Sequence, residues 1–302
     1  MNDFYTDYSE YMARVFPGVK VQKISVNAGF GCPNRDGTIG TGGCIYCDNR
    51  SFTPAYCFGT EGVAAQLEAG KKFFCRKYPD MRYIAYFQSY TNTYRASAGE
   101  LRRLYDEALA VEGVVGLAVA TRPDTLPAET VELLRDINRT RPVFVELGVE
   151  TLHDTTLLAI NRGHDSAIAE DAILRLVSAG LHVGVHLIAG LPGETDGMVL
   201  DTVRRVCALP VDSIKMHHLQ VLKNTPLCRM IENKELSVPS YTPESYLELC
   251  VRIVAEVPRG IAIERFLASS PPADVVAPHW GMKNHEFVSR LINVLKNKCN
   301  EK

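Results

Sequence analysis

Three cysteines in the first fifth of the chain carry its clearest chemistry. Cys32, Cys44 and Cys47 follow the spacing C-x11-C-x2-C, and the loop that joins them is rich in glycine. Glycine accepts positive φ angles, so this loop can wrap closely around a bound group. Thiolates at such spacing are ligands for a metal ion or an iron–sulfur cluster. The chain has nine cysteines in all, an odd number that argues against a closed disulfide framework.

The spacing alone leaves the kind of metal open. A structural zinc site needs four ligands, and Cys57 could supply the fourth. A [4Fe-4S] cluster held by only three cysteines leaves one iron open to a substrate or cofactor. The third alternative is three unrelated buried thiols, which the surrounding glycines disfavour. The residues favour the cluster over zinc.

Segments typical of strands and helices alternate on both sides of this loop. Apolar, β-branched runs predict strands over residues 21–27, 82–88, 114–120, 143–149, 182–188 and 213–219. Amphipathic spacing and helix-ending residues predict helices over residues 61–77, 98–111, 127–138, 166–178 and 195–209. Pro127 is placed in the first turn of its helix, and Gly180 is expected to end the fourth.

This alternation predicts an α/β fold. Continuous apolar strands separated by helices indicate a parallel sheet covered by helices. Six βα units are fewer than the eight of a full barrel, so we expect a partial (β/α)6 TIM-like barrel over residues 20–240. Residues 1–19 are predicted to be an N-terminal extension. Residues 241–302 are predicted to be a small C-terminal α/β extension that packs on the barrel, with a helix at 243–257, a strand at 261–266 and a last helix from Asn284.

Composition narrows the environment of the protein. The formal net charge is −2, so no overall basic field indicates nucleic acid binding. No stretch reaches the roughly 18 uninterrupted apolar residues of a membrane span. The acidic N-terminus lacks the apolar core of a signal peptide. We therefore expect a cytoplasmic protein with no membrane partner.

The cysteine loop and several later segments resemble the radical S-adenosylmethionine (SAM) superfamily. The usual superfamily motif is C-x3-C-x2-C, from which the longer first gap here departs. The segments 32–38, 40–47 and 87–94 are similar to the YhcC/YtqA-like branch of that superfamily. The segments 121–124, 145–151 and 161–164 resemble the radical SAM domain of the Elongator catalytic subunit. The resemblance covers residues 20–230 in order.

The resemblance implies a cofactor pair. Cys32, Cys44 and Cys47 would hold a [4Fe-4S] cluster, and SAM would chelate the fourth iron through its amino and carboxylate groups. An electron from a donor such as flavodoxin or ferredoxin would cleave SAM and release a 5′-deoxyadenosyl radical for hydrogen abstraction. The protein's part is to hold, orient and shield these groups.

The resemblance also suggests residues around SAM. Tyr90, Thr91 and Asn92 follow the second predicted strand, where relatives contact the SAM amino group, although polar residues are also ordinary loop formers. Glu146 and Glu150 share one strand face, and one of them is expected to bind the amino group or the ribose hydroxyls. A buried carboxylate without such a partner is costly.

Four more residues fall on matching positions. Arg162 is placed near the SAM carboxylate, for which a guanidinium is a suitable partner, or else is an exposed helix-end arginine. His186 matches a ribose contact, and Gly190 lies in a turn expected to pack along SAM. Lys215 is a weaker candidate for a substrate contact, and surface exposure is its alternative.

The substrate is the least determined feature. The Elongator resemblance predicts tRNA wobble-uridine modification. Basic side chains that could line a groove, or equally lie on solvated helix faces, are Lys71, Lys72, Arg76, Lys77, Arg102 and Arg103. A small molecule or peptide enclosed by the C-terminal segment around Trp280 is a second hypothesis. A zinc-stabilised binding module with no redox chemistry is the third.

Overall fold

The computed structural model describes residues 3–59, 62–74 and 80–300. Its strands are β1 (Thr6–Asp7), β2 (Val21–Val26), β3 (Arg82–Phe87), β4 (Val114–Thr121), β5 (Val143–Glu150), β6 (His182–Ala189), β7 (Ser213–His218), β8 (Val221–Leu222), β9 (Ala262–Ile263) and β10 (Val275–Ala277). Its helices are α1 (Tyr8–Val15), α2 (Val63–Phe74), α3 (Ala98–Leu109), α4 (Ala128–Asn138), α5 (Asp154–Ala159), α6 (Ser166–Ser178), α7 (Asp196–Cys207), α8 (Pro226–Glu232), α9 (Pro243–Glu256) and α10 (Asn284–Asn300).

One parallel sheet of eight strands organises the chain, in the order β1-β9-β7-β6-β5-β4-β3-β2. The six predicted strands are neighbours in this sheet in their sequence order, and every pair is parallel. The prediction of an α/β partial barrel is confirmed. Strands β9 and β1 extend the sheet beyond β7, so residues on both sides of the predicted barrel join it.

The outer face of the sheet is sealed by helices whose apolar sides are buried. Leu101 and Tyr105 of α3 and Leu134 of α4 have no exposed surface. They pack in one core with outward-facing strand residues such as Val145 and Leu147. Alternation along each strand therefore sends one set of side chains to this core and leaves the other set inside the curled sheet.

Helix α1 covers the amino ends of the strands. Tyr11 and Met12 are buried in an apolar cluster with Ile84 and Phe144, and the Tyr11 hydroxyl lies 2.8 Å from Nδ1 of His182. This small core closes the interior at the amino ends of the strands. The sequence did not predict α1 or β1.

Several predicted boundaries are corrected. The helix predicted over 61–77 is seen as α2, while residues 61 and 75–77 lie outside the described residues. Pro127 is the N-cap of α4 and not part of its first turn, and the strand predicted over 261–266 is only the two-residue β9. Gly180, with φ of +75°, follows α6 as expected. The division at residues 20 and 240 stays a prediction.

Within the described ranges, no helix is both long enough and apolar enough to cross a bilayer.

Candidate active site

A cavity of about 790 Å³ lies at the carboxyl ends of the strands. This volume falls within the range of about 300–1,000 Å³ usual for small-molecule sites. Its wall includes most of the predicted site residues, namely Cys32, Cys44, Cys47, Tyr90, Thr91, Glu146, Glu150, Arg162, His186 and Lys215. Among the described lining residues, Asn92 and Gly190 are absent. The topology thus gathers residues from five strands and the cysteine loop around one space.

The cysteine loop is clamped by the turn that follows α5. The side-chain amide of Asn161 donates to the carbonyl oxygens of Thr41, at 3.3 Å, and Gly43, at 2.8 Å. The backbone N–H of Ile45 donates to the carbonyl of Ile160 at 3.1 Å. Asn161 has a φ of +53°, a left-handed conformation that asparagine tolerates better than most residues. The predicted Asn-Arg-Gly-His segment therefore shapes the cysteine loop directly.

Hydrogen-bond donors point at the sulfur atoms. The Arg162 Nη1 lies 3.4 Å from the Sγ of Cys44, and the Asn34 amide lies 3.7 Å from the same sulfur. The Asn49 amide lies 3.4 Å from the Sγ of Cys47. Donors around sulfur favour the thiolate, which is the form that binds metals.

The thiols also influence one another. Burial and the neighbouring Cys44 and Cys32 together raise the pKa of the Cys47 thiol to about 12, against the opposing effect of Arg35. Among the described residues, we find no group of three or more His, Cys, Asp or Glu side chains whose present arrangement could hold a metal ion. The donor set suits a thiolate-bound cluster, whose positive charge would offset the mutual repulsion of the three sulfurs.

Arg162 links the cysteine loop to the end of β5. Its Nη2 donates to the carbonyl oxygen of Gly148 and lies 3.5 Å from a carboxylate oxygen of Glu150. Burial alone would lower the pKa of Arg162, but Cys44, Tyr46 and Glu150 raise it well above its usual value. The alternative of an exposed helix-end arginine is excluded by its 6% exposure.

Glu146 is part of the cavity wall and is surrounded by donors. Its carboxylate accepts hydrogen bonds from the Tyr86 hydroxyl at 2.7 Å, His186 Nε2 at 2.6 Å and Lys215 Nζ at 3.1 Å. Lys23 Nζ also donates to it. Although burial raises the pKa of a carboxyl group, Lys215 and Lys23 hold the pKa of Glu146 well below its usual value.

Glu264 completes a buried layer of two lysines and two glutamates. Its carboxylate lies 2.9 Å from the Lys23 ammonium and 3.3 Å from that of Lys215. The Lys23–Glu264 pair joins β2 to the residue after β9, across the open side of the partial barrel. We name Lys23, Glu146, Lys215 and Glu264 the ion layer. Opposite charges balance there, which is the condition for charges to be buried at tolerable cost.

The two predicted glutamates consequently differ. The Glu146 carboxylate already accepts hydrogen bonds from four protein donors. The geometry therefore gives little support to the expectation that it binds SAM. Glu150 has one long ionic contact to Arg162, has a φ of +70°, and pairs with Leu187 of β6 directly after a bulge that follows Gly148. Of the two, Glu150 has the carboxylate that is more available to a ligand.

The residues after β3 divide in the same way. Thr91 is buried and its N–H donates to the carbonyl of Gly31 at 3.1 Å, whereas Tyr90 is 37% exposed with a φ of +62°. Asn92 is fully buried below the cavity wall, and its amide donates to the carbonyl of Ala120 at 2.8 Å. Tyr90 and Thr91 therefore face the cavity, while Asn92 anchors β3 to β4.

Three other candidate residues, Gly190, Cys57 and Trp280, have contacts that indicate a structural role. Gly190 has φ of +92°, and a side chain there would meet the Tyr241 ring at 3.3 Å, so close packing explains this glycine. Cys57 is buried outside the described cavity wall, 3.5 Å from the carbonyl oxygen of Ser25. Trp280 stacks on His218 with ring centroids 4.2 Å apart, as a packing anchor and not a cap.

Sequence reasoning missed Lys23, Tyr86, Glu264 and Arg265. Lys23 and Glu264 are charged residues inside or beside predicted strands of a parallel sheet. Because burial of one charge requires another, a search for oppositely charged residues in such strands could have paired them. Arg265 and its surroundings are described below.

Comparison with known proteins identifies the class. Residues 26–206 match the Radical SAM superfamily, and residues 211–297 match the Radical_SAM C-terminal domain. The chain belongs to the radical SAM superfamily and is a radical SAM enzyme.

Relatives place it more closely. The chain is 34% identical to the uncharacterized protein YtqA of Bacillus subtilis over 288 residues, which cover 95% of this chain and 88% of that protein. It is 38% identical to protein YhcC of Escherichia coli over 264 residues, or 87% of this chain and 83% of that protein. The chain therefore lies in the YhcC/YtqA-like branch.

The more distant relatives include proteins that are named for an activity on tRNA. The tRNA uridine(34) acetyltransferase of Methanocaldococcus infernus is 26% identical over 165 residues, 54% of this chain and 30% of that protein. The solved structure of M. infernus Elp3 with an N-terminal deletion matches with a TM-score of 0.67 and 18% identity, over 93% of this chain and 63% of that chain. This structural likeness shows a shared fold.

Proposed function

We propose that the enzyme holds a [4Fe-4S] cluster through Cys32, Cys44 and Cys47, binds SAM in the adjoining cavity and acts on a uridine of tRNA. The observation that carries the first part is the cavity itself, which places all three cysteines beside Arg162 and Glu150. Membership in the superfamily implies both cofactors. When bound, the cluster supplies the electron that cleaves SAM reductively.

The residues of this chain would prepare the site. Arg162 is directed at Cys44 and at the end of β5, so it stabilises thiolate charge and offers a guanidinium to the SAM carboxylate. Glu150 supplies an acceptor for the SAM amino group or ribose. His186 is fixed by Glu146 and faces the same space. The apolar core around α1 closes the far end and keeps water out.

The tRNA assignment is supported by the acetyltransferase similarity and not by a basic groove. Lys71 pairs with Glu68, Arg102 with Asp106 and Arg103 with Glu107, all on their own helices. These side chains are the solvated helix faces of the alternative interpretation. Arg76 and Lys77 lie outside the described residues. We therefore place the proposed contact with RNA at the mouth of the cavity.

Two further features belong to this proposal. The electron comes from a small reductant such as flavodoxin or ferredoxin, because SAM cleavage consumes one electron. The protein works in the cytoplasm, where thiols stay reduced. Among the described residues all eight cysteines are free, and Cys75 is not among them.

Production of 5′-deoxyadenosine tests the cofactor assignment. Wild-type protein, reconstituted anaerobically with iron and sulfide and reduced with dithionite, should form 5′-deoxyadenosine from SAM. Cys44→Ala should form none, and Cys57→Ala is the matched control that should retain the activity, because Cys57 lies away from the cavity. Equal loss in both variants, or equal activity, would contradict the assignment of the three cysteines.

Binding of tRNA tests the substrate. An unmodified tRNA transcript should bind the reconstituted enzyme with an affinity that falls as salt rises, and an abasic wobble position should weaken the complex. The absence of measurable binding at low salt would reject tRNA. The small-molecule or peptide alternative would then replace it, without affecting the SAM assay.

A further inference from the structure

One cationic residue of the cavity wall stands apart from the rest. Arg265 follows β9, is half-buried and lines the cavity. Its backbone is fixed, because the N–H of Met216 donates to its carbonyl oxygen at 3.0 Å. Throughout residues 3–59, 62–74 and 80–300, its guanidinium has no hydrogen bond or close ion pair. Its interaction with the neighbouring Glu264 is longer-range and electrostatic: after Lys215 and Lys23, it helps to lower the pKa of that carboxyl group.

The other cavity cations are all engaged. Arg35 donates to the carbonyl oxygen of Cys47 at 2.7 Å, and Arg122 forms a two-point contact with Asp124 at 2.8 and 2.7 Å. The remaining cations, Arg162 and Lys215, have the partners described above. The acid next to Arg265 in sequence, Glu264, is already taken by the two lysines of the ion layer. A half-buried guanidinium with no hydrogen bond to the protein keeps all of its donors free for a ligand that enters the cavity.

The groups near Arg265 suit an anion. His217 also lines the cavity, and burial holds the pKa of its imidazole well below the usual value, with His186 and Arg265 lowering it further. A neutral imidazole still donates one N–H. Ser269 and Ser270 lie in the same wall, and the hydroxyl of Ser270 has no hydrogen-bond partner among the described atoms.

We propose that Arg265, His217 and Ser270 form a subsite that binds a phosphate group of the substrate. A guanidinium fork matches two phosphate oxygens, and the imidazole N–H and the hydroxyl can donate to others. This inference rests on the proposed function, because it names the part of the RNA that enters the cavity: a nucleotide with its backbone phosphate, and not a free base.

Uridine and uridine 5′-monophosphate are the probes, and calorimetry on the reconstituted, SAM-loaded enzyme is the measurement. Wild type should bind the nucleotide about tenfold more tightly than the nucleoside, as expected for a charge-assisted contact to phosphate. Arg265→Gln should remove this preference, whereas Arg265→Lys, which keeps the charge and loses the fork, should retain part of it. Arg102→Gln removes one positive charge from an outer helix and should leave the preference unchanged.

The same variants report on intact RNA. For a single-stranded contact, the slope of log K against log salt should become less steep by about 0.7 in Arg265→Gln, the value for one phosphate contact. Iron content and circular dichroism, matched to wild type, show that the variant is folded.

Two failures remain distinguishable. If wild type shows no preference for the nucleotide, or if Arg265→Gln and Arg102→Gln reduce it equally, the subsite is rejected whatever the SAM assay gives. If tRNA does not bind but the nucleotide preference depends on Arg265, the phosphate subsite stands. The proposed tRNA substrate then fails alone.

Discussion

Two parts of the cavity wall differ in how far their polar groups are hydrogen-bonded within the protein. On the cysteine wall, formed by Cys32, Cys44, Cys47 and Arg162 with the clamp at Asn161, the Asn161 amide and both Nη atoms of Arg162 already have acceptors, and Nε of Arg162 has none among the described atoms. The C-terminal wall, formed by His217, Arg265 and residues 268–272, contains polar groups without partners.

The difference indicates what each wall is for. A resident cofactor needs a site whose side chains are held in place before it binds, since positional freedom would weaken every contact. A substrate that enters and leaves in each cycle needs groups that become satisfied only when it is present. The ion layer lies beneath both walls and supports both of them. The following predictions test this contrast, beginning with the largest effect.

Loss of Arg162 should be the most damaging change on the cysteine wall. Arg162→Gln leaves the Glu150 carboxylate and the Gly148 carbonyl without their cation in a buried site. We expect the free energy of unfolding to fall by about 3–5 kcal/mol, as for other broken buried ion pairs. Urea denaturation followed by circular dichroism measures this.

Arg139→Gln is the matched control for that change. Arg139 pairs with Asp136 on an exposed helix surface, where ion pairs contribute about 0–1 kcal/mol. Similar losses in the two variants would show that the cysteine wall is not specially organised.

The Asn161 clamp should contribute the next largest effect. Asn161→Gly removes two hydrogen bonds and should cost about 1–2 kcal/mol. Asn161→Ala should cost about 1 kcal/mol more, because alanine is strained at a φ of +53°. Both variants should also retain less iron after reconstitution, measured by iron and sulfide analysis. Full iron content in both would mean that the clamp does not position the cysteine loop.

A pH-dependent effect is expected beside the C-terminal wall, at His218. Burial lowers the pKa of His218 to about 4, from 6.5 in the unfolded chain. The unfolded state therefore binds the proton first, so the stabilising contribution is complete above pH 6.5 and is lost as pH falls toward 4. Between pH 7.5 and pH 5, we expect this group to account for about 2 kcal/mol of the lost unfolding free energy.

His218→Asn should abolish that contribution while keeping an acceptor for the Ala268 N–H, which donates to Nδ1 at 3.3 Å. Urea denaturation at the two pH values compares the proteins. An identical loss of stability in wild type and variant would assign the pH dependence to other groups.

Arg265 should show the smallest effect on stability. Because its guanidinium makes no hydrogen bond or close ion pair to the described residues, Arg265→Gln should change the unfolding free energy by no more than about 0.5 kcal/mol. The comparison with Arg162→Gln is direct, since both residues are arginines of the same cavity. A loss of several kcal/mol at Arg265 would reveal a structural role and remove the contrast between the walls.

The sequence predicted the parts of this molecule that depend on local pattern. Six apolar runs marked six adjacent strands, and the glycine-rich cysteine loop was placed at the end of the first of them. The segment 161–164 carries a recognisable motif in the sequence itself. Each of these signals lies within a few consecutive residues, so it is visible without the fold.

The remaining features depend on residues far apart in the chain. β1 and β9 are two residues long and exist only because they pair with each other and with β7. The Lys23–Glu264 pair joins residues separated by 241 positions. The different surroundings of Glu146 and Glu150 arise from a bulge and from lysines on other strands, which strand alternation alone could not reveal.

We propose that Cys32, Cys44 and Cys47 hold a cluster whose open iron binds SAM. Electron paramagnetic resonance of the dithionite-reduced, reconstituted enzyme, recorded with and without SAM and paired with metal analysis, tests it most directly. We predict about four irons per chain and a signal that changes on adding SAM, in wild type and in Cys57→Ala but not in Cys44→Ala. One zinc per chain, or a cluster signal indifferent to SAM, would contradict the account.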